Sequence, residues 1–267
     1  RADAQHLDFG RVTIEYRVQI DHKQWARTTV RLILTHENAD FDAVAAQVAA
    51  YKLDSAATPV LPRRLNRNVR QFITLYWDEL PFVWPDDLKR QRVESVTIVD
   101  TQSIGTVRGM KPTTPIHFID HHPQSRKMEL HWSFSGEPVG ATTTLLCEEL
   151  QERGVALSLV EATLMMLGIY EDTGSLAYGT TTPRDIRCAA WLMEQGADLD
   201  VVHEFSRLPL SDDQRALYER LLENAEAMEI SGRPVVVSAA RAPDLVEGIS
   251  TIAHQLRDLF EPTALFV

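Results

Sequence analysis

The sequence predicts an α/β protein whose larger part is a parallel β-sheet covered by helices, followed by the beginning of a second α/β unit. Three observations carry that expectation. Short continuous apolar runs, "VRLILTH", "ATPVLP", "ESVTIVDT" and "PIHFIDHH", alternate with segments of helical spacing such as "AVAAQVAAYKL"; this is the pattern of a parallel sheet covered on both faces. Three of the four runs end on acids or histidines, and in open parallel sheets ligands gather beyond the carboxyl ends of the strands. After the fourth run the chain reads mostly helical, through "GATTTLLCEELQERG", "SLVEATLMMLGIYEDTG", "TPRDIRCAAWLMEQGA" and "SDDQRALYERLLENAEAMEI".

Taken in order, residues 1–29 form an N-terminal extension without an assigned role, in which "VTIEYRVQI" alternates at period two like a half-buried strand. Residues 30–230 hold the main domain. Within it Gly154 and Gly196 suit helix ends, while "TTP" before Arg184 and "LSDD" before Gln214 offer N-caps and a proline at the first helical position. From residue 231 onward "RPVVVSAAR" reads as a strand, "LVEGISTIAHQLRDLF" as a helix and "TALFV" as the start of another strand. Such a unit is incomplete, so residues 231–267 are expected to be the start of a truncated second domain.

Composition narrows the function classes. With 267 residues and 44% hydrophobic content, the chain can bury one large core or a core with a smaller satellite. A formal charge of −11 argues against a uniformly basic nucleic-acid surface, so any phosphate binding must be local. No stretch approaches the roughly 18 uncharged apolar residues of a membrane span, and "RADAQHLDFG" lacks a basic-then-apolar secretion signal, which points to a cytoplasmic location. The two cysteines, Cys147 and Cys188, lie in segments of helical period and read as buried free thiols.

The chemistry concentrates in four segments. "LTHENADFDA" sets His36, Asp40 and Asp42 between a strand and the next helix, "IVDT" ends on Asp100, "DHH" supplies Asp120, His121 and His122, and "GIYEDTGSL" places Asp172 in a turn. Unpaired, these carboxylates would repel one another in a low-dielectric pocket, and a divalent cation removes that repulsion. A donor set rich in carboxylate, with imidazole and no thiolate, suits manganese first and magnesium second. The donors suffice for two ions, and two metals about 3.5 to 4 Å apart are the usual arrangement for in-line displacement at phosphorus. Asp100, alone at its strand end, is the candidate bridge. "PRRLNRNVR" contributes Arg63, Arg64, Arg67 and Arg70 for substrate phosphate, or else a solvated helix face. "GATTTLL" from Gly140 offers a helix N-terminus and hydroxyls for phosphate, or a cap. His117 reads as structural, His131, His203 and His254 as surface or core residues, and Met165, Met166 and Leu167 as core.

The combination "HENADFDA", "IVDT", "DHH" and "DTGSL" resembles the DHH phosphoesterase superfamily of RecJ-type exonucleases, nano-RNases and cyclic dinucleotide phosphodiesterases, over residues 30 to about 180. One mild departure is Ala39, where many relatives carry proline. The resemblance implies one metal held by His36, Asp40 and Asp100 and a second held by Asp42, Asp100, His121 and Asp172. It also implies that His122 faces the substrate phosphate and that Asp120 supports the cluster from behind, giving His122, Asp100 and Asp120 as catalytic residues. "THENADFDA" with "PVLPRRLNRNVRQFITLY" is similar to the amino-terminal DHH region of bacterial proteins that continue into paired CBS domains and a tRNA nucleotidyltransferase or poly(A) polymerase domain. DHH enzymes acting on nucleic acid usually add a DHHA1-type second domain with a "GGGH" motif, which does not occur before Val267.

The function implied is a phosphodiesterase with two Mn2+ (Mg2+ as the substitute) that hydrolyses short RNA, nucleic-acid ends or dinucleotides by two-metal activation of water. Two alternatives accompany it: a weakly catalytic or non-catalytic RNA- or nucleotide-binding module of a tRNA nucleotidyltransferase or poly(A) polymerase, and a DHH-type pyrophosphatase. Partners implied are short RNA, a nucleic-acid end or a cyclic or linear dinucleotide, without a membrane. Fusion or association with CBS and nucleotidyltransferase domains, and a homodimer, are the assemblies left open.

Overall fold

The computed structural model describes residues 29–267 apart from 90, 106, 207–209, 243–245 and 247–248. The reading of "VTIEYRVQI" as a strand lies outside the described residues. Five parallel strands, β1 (Thr29–Leu34), β2 (Ala57–Pro59), β3 (Arg92–Val99), β4 (Ile116–Ile119) and β5 (Trp132–Ser135), form one sheet in the order β2-β1-β3-β4-β5. The first four correspond to the four apolar runs. The fifth escaped the sequence pattern because it is a short edge strand whose residues alternate between half-buried and exposed, so it carries no continuous apolar run.

The chain order reverses between β1 and β3, and in such sheets a crevice opens outside the carboxyl ends of the two strands that flank the reversal. His36 follows β1 and Asp100 follows β3. The site therefore falls where the topology leaves space.

One face of the sheet packs on helices α1 (Phe41–Leu53), α2 (Arg67–Leu75), α3 (Thr142–Glu152), α4 (Leu159–Thr173), α5 (Pro183–Glu194) and α6 (Leu199–Ser206). Helix α1 is apolar and alanine-rich nearly all round, as a helix sandwiched between a sheet and another helix must be. Its Gln47 amide donates to the carbonyls of Ile33 and Val60 and ties the helix to β1 and to the residue after β2. Gly168 lets α4 approach: a Cβ there would stand 2.9 Å from Ala45 Cβ and 3.1 Å from the Phe41 carbonyl oxygen. The opposite face carries Leu32, Leu34, Val96, Ile98 and Phe118 and is covered, among the described residues, by loops contributing Val83, Leu88, Ile104, Met110 and Met128. The covering on both faces that the apolar strands require is met, with helices on one side and loops on the other. Loops serve there because the β3–β4 and β4–β5 crossovers contain no helix among their described residues.

Local signals in the second half hold well. Thr182 caps α5 with Pro183 at its first position, Ser211 caps α7 (Asp212–Glu223), and Gly154 and Gly196 follow α3 and α5 with φ of 63° and 95°. Met165, Met166 and Leu167 are core, and Cys147 and Cys188 are buried free thiols.

One segment differs. "SDDQRALYERLLENAEAMEI" reads as helical to residue 230, yet α7 ends at Glu223 and β6 (Glu226–Ile230) follows. The residues of β6 favour helix intrinsically. Their strand conformation comes from antiparallel pairing with β7 (Arg233–Val237) across a turn in which Ser231 and Gly232 both have positive φ. Strand β8 (Ala264–Phe266) pairs parallel to β7 after α8 (Ile249–Phe260), as the tail of the sequence indicated. Leu217 and Leu221 of α7 pack with Ile252 and Leu256 of α8 in a cluster of their own. On this packing we propose that the division between the two units falls near Ser211 rather than near residue 231.

Candidate metal centre and flanking cavities

Each acid of the cluster is fixed by the chain around it. Asp40 is the N-cap of α1 and accepts the Ala43 N–H at 3.0 Å. Asp42, within the first turn of α1 and fully buried, accepts the N–H groups of Thr142 and Thr143 at 2.7 and 2.8 Å, from the first turn of α3. Asp100 leaves β3 with φ 56°, a left-handed conformation that aspartate tolerates better than most residues. Its N–H continues the sheet ladder to the Ile119 carbonyl, and its Oδ1 accepts the Thr142 hydroxyl at 3.0 Å. Asp172 lies in the last turn of α4, which closes at Gly174.

The two histidines repeat one arrangement. His36 Nδ1 lies 2.9 Å from the Glu37 carbonyl oxygen and His121 Nδ1 lies 3.0 Å from that of Val139, so each Nδ1–H donates to backbone. The Nε2 atoms then face carboxylates: His36 Nε2 is 3.4 Å from Asp100 and 3.9 Å from Asp40, and His121 Nε2 is 3.2 Å from Asp172 and 3.8 Å from Asp100. His121 Nε2 is buried without a well-formed hydrogen bond. A lone pair held against carboxylate oxygens needs a cation between them or a proton on the ring, and backbone-anchored imidazoles of this kind are the usual metal ligands.

The protonation pattern expresses the same tension. Burial opposes charge on His36 and His121, but the carboxylates that face their Nε2 atoms, Asp100 for His36 and Asp172 for His121, outweigh it and raise both rings to about 9. Burial, then the charges of Asp100 and Asp172, push Asp40 up to about 6 and Asp42 well above the usual carboxylate range. The residues fit a divalent cation, since one ion would satisfy the Nε2 atoms and the crowded carboxylates together.

Donor atoms of His36, Asp40 and Asp100 lie within 4.8 Å of one another, as do those of Asp42, Asp100, His121 and Asp172. Asp100 belongs to both groups and to a third, with Asp120, His121 and His122. The structure thus brings together all six residues named from the sequence. Asp120 stands behind: its Oδ1 accepts from the His122 backbone N–H at 3.1 Å and lies 2.8 Å from His122 Nδ1, while its Oδ2 accepts from Gln102 at 2.8 Å. His122 is largely exposed, so its Nε2 is directed outward. Its pKa is raised, chiefly by the Asp120 hydrogen bond.

The arginines divide. Arg63 gives both guanidinium nitrogens to Asp86 at 3.0 and 2.6 Å, Arg70 is exposed on α2, and Arg64 and Arg67 line a cavity of 760 Å³. The first turn of α3, read as a phosphate site or a cap, is committed to Asp42 and Asp100 instead. Sequence reasoning missed Thr142, Thr143 and Gln102, whose short polar side chains carry no pattern, and it set aside His254. That residue reaches a second cavity of 810 Å³ beside His121, His122 and Asp172, walled by Phe134 and Tyr178. Tyr178 is held there from α8: Arg257 stacks on its ring at 4.8 Å and donates to its hydroxyl at 2.8 Å. An i, i+3 spacing of His254 and Arg257 on one helix was the available signal.

Residues 31–169 match the family model "DHH family, N-terminal domain", and the chain belongs to the DHH family. It is 35% identical over 242 residues to an A-adding tRNA nucleotidyltransferase of Geobacter sulfurreducens, an alignment covering 88% of this chain and 28% of that protein. It is 28% identical to a probable manganese-dependent inorganic pyrophosphatase of Lactiplantibacillus plantarum, covering 80% of this chain and 71% of the other. Among solved structures, an exopolyphosphatase-related protein from Bacteroides fragilis superposes with a TM-score of 0.66 at 16% identity, covering 87% of this chain and 73% of that one, a likeness of fold. The chain spans 28% of the length of the nucleotidyltransferase it matches. No helix among the described residues is long and apolar enough to cross a membrane.

Proposed function

We propose that the protein is a phosphodiesterase dependent on two divalent ions, Mn2+ by preference and Mg2+ as substitute, acting on short RNA, nucleic-acid ends or dinucleotides. The observation that carries this reading is the sharing of Asp100 between a three-residue and a four-residue donor group, the second of which, through His121 and Asp172, lines a cavity with an aromatic wall. His36, Asp40 and Asp100 would hold one ion, and Asp42, Asp100, His121 and Asp172 the other. Bound there, the ions would supply a nucleophilic water and offset phosphoryl charge. The chain does the rest. Asp120 orients His122 through Nδ1, so that its Nε2 can donate a hydrogen bond to a phosphoryl oxygen as charge develops. Thr142 orients the Asp100 carboxylate through its hydroxyl, and Phe134 and Tyr178 exclude water and offer flat apolar surface to a base.

Pyrophosphatase activity is the second reading, favoured by the alignment over 71% of the Lactiplantibacillus protein. An 810 Å³ cavity with an aromatic wall is poorly matched to an ion without apolar surface, which favours a nucleotide. A third reading, a nucleotide-holding module of a larger polymerase, draws on the alignment with part of the nucleotidyltransferase. Incubation with Mn2+ and pApA, short RNA, cyclic di-AMP or pyrophosphate separates the three. Turnover of nucleotide substrates is expected. Turnover of pyrophosphate alone, or of nothing despite bound metal, would overturn the first reading in favour of the second or third.

A further inference from the structure

His121 Nδ1 lies 3.0 Å from the Val139 carbonyl oxygen, and that carbonyl belongs to the same peptide unit as the Gly140 N–H. The described peptide bonds are all trans, so the C=O and N–H of this unit point in opposite directions. On the far side the Gly140 N–H is shared between the two carboxylate oxygens of Asp185, each at 3.0 Å. Asp185 is fully buried. It also accepts the Thr144 hydroxyl of α3 at 2.6 Å and the N–H and hydroxyl of Thr182 at 2.6 and 2.7 Å. Burial opposes charge on Asp185, but these donors outweigh it and hold the carboxyl below its usual range. An N–H donated to an ionised carboxylate makes a stronger bond than one donated to a neutral acceptor. Gly140 permits the approach: a Cβ there would stand 2.5 Å from Thr173 Cγ2 and 2.8 Å from Asp185 Oδ2.

We propose that Asp185 is a positioning residue for His121, acting through the Val139–Gly140 peptide: its charge polarises that unit, sharpens the Val139 carbonyl as an acceptor and so raises electron density on the imidazole Nε2 that faces Asp100 and Asp172. The proposal deepens the metal reading above and rests on it. A carboxylate bonded directly to the free nitrogen of a ligating imidazole fixes the ring and makes it a better donor. Here one peptide unit stands between the two, and polarisation passes along chains of hydrogen bonds. Capping of α5 accounts for the bonds from Thr182, since Thr182 and Asp185 form a capping box. It does not account for those from Gly140 and Thr144, which come from the loop before α3 and from α3 itself. His36 lacks this support: its Nδ1 faces the Glu37 carbonyl, and among the described residues the N–H of that peptide, carried by Asn38, meets no acceptor. The effect is therefore confined to the group of Asp42, Asp100, His121 and Asp172.

The test joins proton NMR with calorimetric Mn2+ titration, on the full chain labelled with nitrogen-15 in glycine and histidine. In the metal-free wild type the Gly140 amide proton and the His121 Nδ1–H proton are both expected well downfield. Asp185→Asn keeps the shape and removes the charge, and should move both resonances upfield. Thr182→Ala weakens the cap of α5 but leaves that charge in place, so it should move neither, although both variants should melt below the wild type. In an Asp40→Ala background, which keeps the four-residue group, Asp185→Asn should weaken Mn2+ binding at least about tenfold, the usual cost of losing such an imidazole partner, whereas Thr182→Ala should leave it unchanged. A Gly140 amide proton at an ordinary position in the wild type, a His121 resonance that ignores Asp185→Asn, or equal Mn2+ affinity in the two variants overturns the proposal. The first of these requires no variant to fold. The two layers fail separately. Shifted resonances without Mn2+ bound to Asp40→Ala would remove the metal reading and leave the relay standing, whereas bound Mn2+ with unmoved resonances would do the reverse.

Discussion

Two of the donor groups that share Asp100, the inner one with Asp42, His121 and Asp172 and the outer one with His36 and Asp40, are built differently. Asp42 and His121, in the inner group, are locked by α3 and by the Val139 carbonyl, and Asp42 is fully buried. In the outer group Asp40 and His36 keep over a quarter of their side chains exposed, and among the described residues Asp40 is held by the cap of its own helix. The inner group is therefore preformed by tertiary contacts, whereas the outer group depends on one local turn. A preformed site loses less on ordering its ligands, so the inner group should hold its ion more tightly.

Breaking the inner group should do the most damage. Asp42→Ala leaves two buried N–H groups of α3 without acceptors, and each unsatisfied group costs about 1–3 kcal/mol. Unfolding in urea should show a loss of several kcal/mol, and the variant should bind one ion at most. Asp40→Ala removes a cap worth about 1 kcal/mol and the outer ion, leaving one tightly bound; metal analysis after dialysis checks this. An unfolding loss for Asp40→Ala equal to that for Asp42→Ala would remove the contrast.

The pH dependence sharpens it further. In the metal-free protein, carboxyls raised above their unfolded values lose stability as pH climbs through about 6 for Asp40. Histidines raised to about 9 contribute stability that is complete below about 6.5 and lost as pH rises through 9. Both signs agree. Metal-free protein should melt at a higher temperature at pH 5 than at pH 9, and Mn2+ should shrink or reverse the gap. A metal-free melting temperature that rises with pH would contradict the assigned geometry. The smallest effect concerns the thiols: burial pushes Cys188 up to about 12 and raises Cys147 as well, so neither should react with a maleimide at pH 7 in native protein, as mass spectrometry would show.

How much of this was legible follows the physics of each part. Strands β1 to β4 declared themselves as continuous apolar runs, and the six acids and histidines because each follows a strand or falls at one end of a helix. Strand β5 and strand β6 were not legible: one is a half-exposed edge, the other a helix-favouring segment recruited by β7. Thr142, Gln102 and Tyr178 stayed hidden for a related reason. Their roles lie in contacts across distant segments, such as Thr142 with Asp42 and Asp100, which no local period encodes.

The central claim is that Asp100 joins the two groups. Metal content per chain, measured after equilibration with Mn2+ and gel filtration, tests it most directly in Asp100→Ala beside Asp40→Ala and the wild type. Two ions are expected in the wild type, one in Asp40→Ala and none in Asp100→Ala. Retention of two ions by Asp100→Ala would contradict the shared carboxylate and the centre built on it.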